Sequence, residues 1–171
     1  MSSGTLPARA EEDEDARARR PLVTGRTPAA DAPRGAAASR VAHRVPFYET
    51  DAMGVVHHSN FVRYLELARI AWLAEHDRPY TEYVAQGLHF ATTRVEVDYL
   101  RAVRFDDVIE VCTWADRVGG ASLRMSYTLR VGSELVATAA TEHAAVDPDG
   151  RVRRIPAERR AALRALVASE S

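Results

Sequence analysis

Apolar side chains recur at helical spacing in one stretch of the chain, which predicts a single long helix. After a turn-rich loop at residues 49–58, apolar positions repeat every three or four residues. This stripe consists of Phe61, Tyr64, Leu65, Ala68, Ala71 and Trp72. Ser59 or Asn60 is suited to cap the start of the helix, because both side chains can accept a backbone hydrogen bond. Since proline disfavours helical backbone before it, we expect the helix to end between His76 and Pro79.

Strand patterns lie on both sides of this helix. A first strand is predicted before it and four more after it, at residues 40–48, 88–100, 107–118, 121–131 and 134–146. Gly119-Gly120 and Gly132-Ser133 separate the last three segments, as expected of hairpins. Residues 157–168 predict a short terminal helix. The order predicts an α+β domain, with an antiparallel sheet of about five strands against one long helix and a short C-terminal helix.

One helix cannot cover both faces and all strands of such a sheet. The apolar surface that remains predicts a partner subunit, so we expect a homodimer, with further pairing into a homotetramer left open.

Residues 1–39 differ in composition from the remainder. They hold four of the eight prolines, no aromatic side chain, and six acidic against six basic residues. So little apolar surface cannot offset the entropy of ordering the chain. We therefore expect a disordered tail at residues 1–39 and one folded domain at residues 40–171.

Charge and composition exclude several classes of protein. The net charge is −1, so no basic field favours nucleic acid as a partner. No apolar run is long enough to cross a membrane, and no membrane partner is expected. Cys112 is the single cysteine, which excludes an internal disulfide framework and agrees with a cytoplasmic location. We expect no cofactor, because neither a phosphate loop nor a dinucleotide fingerprint occurs, and no metal, because His57-His58 lacks a third ligand at helical spacing.

The candidate chemistry lies in the loop before the long helix. Asp51 and Gly54 stand in a turn that leads into the helix start. We expect the backbone amides near residues 56–60 to be unpaired there and to favour negative charge. Such amides can stabilise an oxyanion, and a nearby carboxylate can act as nucleophile or base. From the residues alone, an ordinary turn or capping residue is the favoured interpretation of Asp51.

The loop and helix together resemble a known family. The stretch from Tyr48 to Phe61 reads Y-x-T-D-x-x-G-V-V-x-H-x-N-F, continues as R-Y-L-E-x-A-R-x-x-W-L, and is followed by D-Y-x-R-x-V-R-F-D-D from Asp98 to Asp107. This resembles the signature of 4-hydroxybenzoyl-CoA thioesterase-like hotdog proteins over residues 40–160. The resemblance implies a hotdog fold, in which the sheet wraps a central helix and two subunits pair into one sheet with active sites at their interface. It also implies hydrolysis of an acyl-CoA to a carboxylic acid and CoA.

The same resemblance assigns roles to residues of the motif. Asp51 matches the aspartate that attacks the thioester or activates water. His58 matches a histidine that orients the thioester or its oxyanion. The backbone amides of Val56 and His57 correspond to the oxyanion-binding region, and Asn60 occupies a frequent polar cap position.

Further residues are candidates for substrate binding. Gly54, Asn60 and Tyr64 lie near the motif, and Thr92 could approach the thioester across the dimer. Arg101 and Arg104 are one candidate pair for the phosphates of CoA, and the alternative set near the C-terminus is Arg151, Arg153 and Arg154.

Two other functions remain open from the sequence. The chain could release a product from an acyl carrier protein or polyketide pathway, or it could bind acyl-CoA without turnover. Which carrier is hydrolysed, if any, distinguishes the three.

Overall fold

The computed structural model describes residues 32–167, which form a five-stranded antiparallel sheet with one long helix and two short ones. The strands lie in the order β1-β3-β4-β5-β2. Their bounds are Ala38–Arg44 (β1), His89–Tyr99 (β2), Val108–Val118 (β3), Ser122–Val131 (β4) and Glu134–Val146 (β5). The helices are His58–His76 (α1), Tyr80–Ala85 (α2) and Ala157–Ala165 (α3). The predicted α+β layout and chain order are those observed.

Helix α1 packs on β1 and β3 through the predicted apolar stripe. All members of the stripe are buried except Ala71, which is half-buried. Trp72 is fully buried, and its indole N–H donates to the carbonyl of Ala37 at 2.8 Å. Burying each large apolar side chain stabilises the domain by about 2 kcal/mol, so this stripe fixes α1 against the sheet.

The start of α1 differs from the prediction. The helix begins at His58, and His57, in extended conformation, is the cap. The Nδ1 atom of His57 lies 2.8 Å from Ser59 Oγ and 3.4 Å from the Ser59 amide. Ser59 and Asn60 are therefore inside the first turn. The sequence missed the cap because histidine is not among the residues favoured there. The end of α1 at His76 is as predicted.

Two further elements were predicted imperfectly. Strand β1 ends at Arg44, and a single 3-10 turn occupies Phe47–Glu49, where the strand was expected to continue. Pro46, which precedes this turn, has no N–H to donate to a ladder. The short helix α2 was not predicted, because six residues are too few to show helical periodicity.

The folded part begins slightly before the predicted boundary. The amide of Ala37 donates to the Leu166 carbonyl at 3.1 Å, and Ser39 is buried in β1. Residues 1–31 of the expected disordered tail, and position 168 of the expected terminal helix, lie outside the described residues.

Strand β2 lies at the edge of the sheet and, among the described strands, pairs only with β5. Residues 91–95 of this strand are exposed, and the register shifts between Thr92 and Arg94. None of the helices within residues 32–167 is long and apolar enough to cross a membrane.

Candidate active site

Asp51 stands at the base of a tight turn closed by backbone pairing. Its amide donates to the Val55 carbonyl, its carbonyl accepts from the Gly54 amide, and both distances are 2.9 Å. One carboxylate oxygen, Oδ1, accepts from the Met53 amide at 2.8 Å. The other, Oδ2, accepts no hydrogen bond from any residue between 32 and 167. The half-buried side chain is therefore both the turn residue that the sequence allowed and a carboxylate with one oxygen available.

Gly54 serves the turn. Its φ of 71° lies in the left-handed region, and a side chain there would strain the backbone. The Gly54 amide already donates to the Asp51 carbonyl. It is therefore not available to donate to the substrate that Gly54 was predicted to contact.

The backbone amides at the start of α1 require a correction. The amide of Val56 donates to the Val103 carbonyl at 2.7 Å, and the amide of His57 donates to the Glu49 carbonyl at 2.9 Å. Neither amide is free to bind an oxyanion, contrary to the expectation. The next amide, that of His58, donates to no acceptor within the described part of the chain. As the first residue of α1, His58 points its N–H along the positive end of the helix dipole.

The side chain of His58 is exposed beside the same turn. Its ring packs on that of His57 with the ring centres 4.1 Å apart. The His58 carbonyl accepts from the hydroxyl of Tyr99 on β2 at 3.1 Å. This bond ties the start of α1 to the edge strand, and burial raises the pKa of the Tyr99 hydroxyl.

Asn60 and Tyr64 face the protein interior. The side-chain amide of Asn60 donates to the Glu49 carbonyl at 2.8 Å, and the Tyr64 hydroxyl donates to the Glu49 carboxylate. Both residues are buried, with 7% and 2% of their surface exposed. Burial, aided by Glu49, raises the pKa of Tyr64 above its ordinary value. Their predicted contact with substrate is therefore replaced by a contact with Glu49.

Glu49 is a residue that the sequence analysis missed. Its side chain is buried, although it ends a short turn whose other two residues, Phe47 and Tyr48, are exposed. A carboxylate in a turn is ordinarily solvated, and no local pattern indicated that this one turns inward.

The side chains of Thr92 and Arg101, two further candidates for substrate binding, have polar neighbours in the protein. The Thr92 side chain is 3.3 Å from Nδ1 of His143. Arg101 pairs with Glu134 across 2.6 Å. Both side chains therefore already have a polar partner in the same protomer, although Thr92 is exposed.

Arg104 is the arginine that the fold brings to the Asp51 turn. Val55 of this turn forms a backbone bridge with Arg104, whose amide donates to Asp107. The Arg104 side chain is exposed and makes no ion pair with any residue of the range 32–167. In the alternative set, Arg151 pairs with Asp149 at 2.9 Å.

Exposed apolar side chains surround the turn. Phe47, Tyr48 and Met53 are each about three-quarters exposed or more, and Phe105 packs edge-on against Phe47.

Within the described residues, no group of three or more histidine, cysteine, aspartate or glutamate side chains could hold a metal ion.

A five-stranded antiparallel sheet packed on one long helix, with an aspartate in the turn before that helix, defines a hotdog-type domain. Residues 45–163 match the model of the thioesterase-like superfamily. The chain belongs to this superfamily.

Individual relatives agree with this placement. The chain is 36% identical to a "putative esterase" of Aquifex aeolicus over 115 residues, which are 67% of this chain and 89% of the relative. It is 34% identical to the acyl-CoA thioester hydrolase YbgC of Escherichia coli O6:H1 over 80 residues, 47% of this chain and 60% of that protein. The crystal structure of TT1821 from Thermus thermophilus superimposes with a TM-score of 0.72 at 32% identity, covering 77% of this chain and 99% of that one. The predicted fold, family and enzyme class, a thioester hydrolase, are confirmed.

Proposed function

We propose that this enzyme hydrolyses acyl-CoA, with Asp51 as the nucleophile or as the base that activates water. The observation that carries the proposal is that one closed turn has an Asp51 carboxylate oxygen at one end and the His58 amide at the other, neither of which hydrogen-bonds to any residue of 32–167. The name of the YbgC relative, an acyl-CoA thioester hydrolase, supports CoA as the carrier.

The His58 amide stabilises the charge that develops on the thioester oxygen. This amide and the dipole of α1 both favour an oxyanion over a neutral carbonyl. The exposed His58 imidazole borders the same position and orients the thioester. The amide assigned to the oxyanion is therefore that of His58, the first residue of α1, instead of those of Val56 and His57, which the resemblance implied.

Asp51 acts by one of two routes. As a nucleophile, it forms an acyl anhydride with the thioester carbon while the C–S bond breaks, and water then cleaves the anhydride. As a base, it takes a proton from the water that attacks the same carbon. In both routes the sulfur leaves as the CoA thiolate and is protonated, and the acyl group leaves as a carboxylic acid.

Arg104 is the best placed cation for the phosphates of CoA. Its exposed guanidinium forms no ion pair with residues 32–167 and its backbone is bridged to the Asp51 turn, whereas Arg101 is paired with Glu134. We assign Arg104 to CoA binding ahead of Arg101 on this ground.

The enzyme is proposed to act as a homodimer formed through β2. An edge strand with an exposed stretch can pair with a second copy, and this extends the sheet. Exposed Val62 and Leu67 on α1 supply further apolar surface. Thr92 lies on β2, where a partner's substrate could reach it. The single cysteine, Cys112, agrees with the cytoplasm as the place of action.

The test is release of free thiol from a panel of aliphatic and aromatic acyl-CoAs. The wild type is compared with Asp51→Asn and with a matched control, Asp147→Asn. Like Asp51, Asp147 holds a turn through its side chain, which accepts from the amides of Asp149 and Arg151. It follows the end of β5 that pairs with the start of β2, whereas Tyr99, which contacts His58, ends β2. We expect hydrolysis by the wild type and the control, and its loss in Asp51→Asn.

Other outcomes would redirect the assignment. Equal turnover by Asp51→Asn contradicts the role of Asp51. Hydrolysis of acyl groups only from a carrier protein supports the carrier-protein reading, and binding of acyl-CoA without hydrolysis supports a binding protein.

A further inference from the structure

We propose that Glu49 is a positioning residue for the thioester site, holding the Asp51 turn in a fixed place relative to the start of α1. This inference rests on the proposed roles of Asp51 and the His58 amide. It concerns a residue that does not touch the reacting atoms itself.

The carboxylate of Glu49 joins two separate elements. Its Oε2 atom lies 2.9 Å from Nε2 of His43 on β1 and accepts the hydroxyl of Tyr64 on α1. The rings of His43 and Tyr64 also pack together, with centres 4.7 Å apart. Only 6% of Glu49 is exposed. A buried carboxylate is costly unless it is hydrogen-bonded, and these two partners satisfy its Oε2 atom.

The backbone carbonyl of Glu49 joins two more positions. It accepts from the His57 amide at 2.9 Å and from the Asn60 side chain at 2.8 Å. His57 is the cap of α1, and Asn60 lies in its first turn. One residue thus contacts β1, the cap, and the first two turns of the helix.

These contacts fix both ends of the catalytic turn. Glu49 precedes Asp51 by two residues, and its partner His57 precedes His58 by one. Between them, Thr50 and Val56 form a backbone bridge. Displacing Glu49 would therefore change the position of the Asp51 carboxylate relative to the His58 amide. A displacement of about 1 Å in a catalytic group can lower the rate about 100-fold.

The opposite end of α1 contains a matched pair with the same chemistry. The Tyr83 hydroxyl donates to the carboxylate of Asp77, which also accepts from Arg159. Tyr83 is as buried as Tyr64, at 1% exposed. Asp77 follows the last residue of α1, and neither of these two contacts reaches the Asp51 turn. Removing the Tyr83 hydroxyl therefore breaks a buried tyrosine–carboxylate hydrogen bond without displacing the Asp51 turn, which makes it a control for Tyr64.

The experiment measures kcat, KM and the midpoint of thermal unfolding for the wild type, Glu49→Gln, Tyr64→Phe and Tyr83→Phe. The substrate is the acyl-CoA that the wild type hydrolyses fastest. We expect the two tyrosine variants to lower the midpoint by similar amounts. Glu49→Gln and Tyr64→Phe should lower kcat about 10- to 100-fold with little change in KM, because positioning acts in the transition state. Tyr83→Phe should keep the wild-type kcat.

Each result is decisive for one of the two proposals. Wild-type kcat in folded Tyr64→Phe and Glu49→Gln, or an equal loss in Tyr83→Phe, would overturn the positioning role while leaving the proposed function intact. A wild type that hydrolyses no thioester would overturn the proposed function, and this inference with it. If Glu49→Gln does not fold, the comparison of Tyr64→Phe with Tyr83→Phe decides alone.

Discussion

The carboxylate of Asp51 accepts the backbone amide of Met53 at 2.8 Å, so the residue proposed for catalysis also holds its own turn together. Charge and turn geometry can be separated at this position. An asparagine side chain keeps an oxygen that accepts the Met53 amide but removes the charge, whereas alanine removes both.

We expect Asp51→Asn to fold with wild-type stability and to lower kcat by about three orders of magnitude or more, because the group that attacks or activates water is lost. Asp51→Ala should lose activity equally and, in addition, about 1 kcal/mol of stability with the turn hydrogen bond. Thiol release and denaturant unfolding measure the two effects. If Asp51→Asn unfolds more easily than Asp51→Ala, the asparagine does not preserve the hydrogen bond with the Met53 amide, and this expectation is wrong.

The sequence located this turn but not the network behind it. The stripe from Phe61 to Trp72 predicted α1 because helical burial leaves a periodic trace along the chain. The motif around Asp51 was sufficient for the family. By contrast, the donation of the Val56 amide to Val103 joins residues far apart in sequence, and no local pattern reports it. The stretch of residues 56–60 predicted for unpaired amides does contain His58, whose amide has no acceptor within residues 32–167, but the resemblance had singled out Val56 and His57.

The inward turn of Glu49 was invisible for the same reason. Its partners come from β1 and α1, and only their packing brings His43, Tyr64 and the carboxylate together. Side chains that bind across elements depend on tertiary structure, which residue type and spacing do not encode locally.

Stability should depend on pH through His143. This histidine is buried on β5, with its Nε2 atom 2.7 Å from Thr141 Oγ1. Burial, and secondarily the charge of Arg69, lowers the pKa of His143 from its ordinary 6.5 to about 4. In the unfolded chain the imidazole takes up a proton below about pH 6.5, but in the folded protein it remains neutral until about pH 4.

The contribution of His143 is therefore fully present above pH 6.5 and is lost as the pH falls towards 4. We expect the free energy of unfolding to fall by about 3 kcal/mol more in the wild type than in His143→Gln, whose side chain does not titrate. Urea unfolding at pH 7, 5.5 and 4 measures the difference. Parallel pH profiles for the two proteins would show that His143 is not held neutral by its burial.

Arg104 should contribute to affinity for CoA rather than to chemistry. Removing its guanidinium in Arg104→Ala should raise KM for acyl-CoA about 10-fold and leave kcat near the wild-type value, since uniform binding is lost. The acyl-pantetheine thioester of the same acid lacks the nucleotide phosphates, so its KM should be unchanged.

The matched control for Arg104 is Arg101→Ala, which removes an arginine already paired with Glu134. Steady-state kinetics with both substrates provide the comparison. A larger rise in KM for acyl-CoA in Arg101→Ala than in Arg104→Ala would reverse the assignment of the phosphate contact.

The open edge of β2 should be the surface through which two chains associate. Val95 lies in the exposed stretch of this strand, with 38% of its surface exposed. In Val95→Arg, pairing of two β2 strands would bury a charged side chain at their interface. Natural edge strands carry charged side chains for the same reason, because the cost of burying the charge prevents association. Light scattering across a range of concentrations should give a two-chain or four-chain mass for the wild type and a one-chain mass for Val95→Arg.

Activity should follow the mass, because the proposed site is completed by the second chain. The control is Val152→Arg, which adds the same charge at a position 70% exposed and outside β2, and which should keep the wild-type mass and turnover. An unchanged mass in Val95→Arg would place the contact elsewhere. A variant that is a single chain but fully active would instead show that one protomer holds the whole site, including everything needed to bind the acyl group beside Asp51.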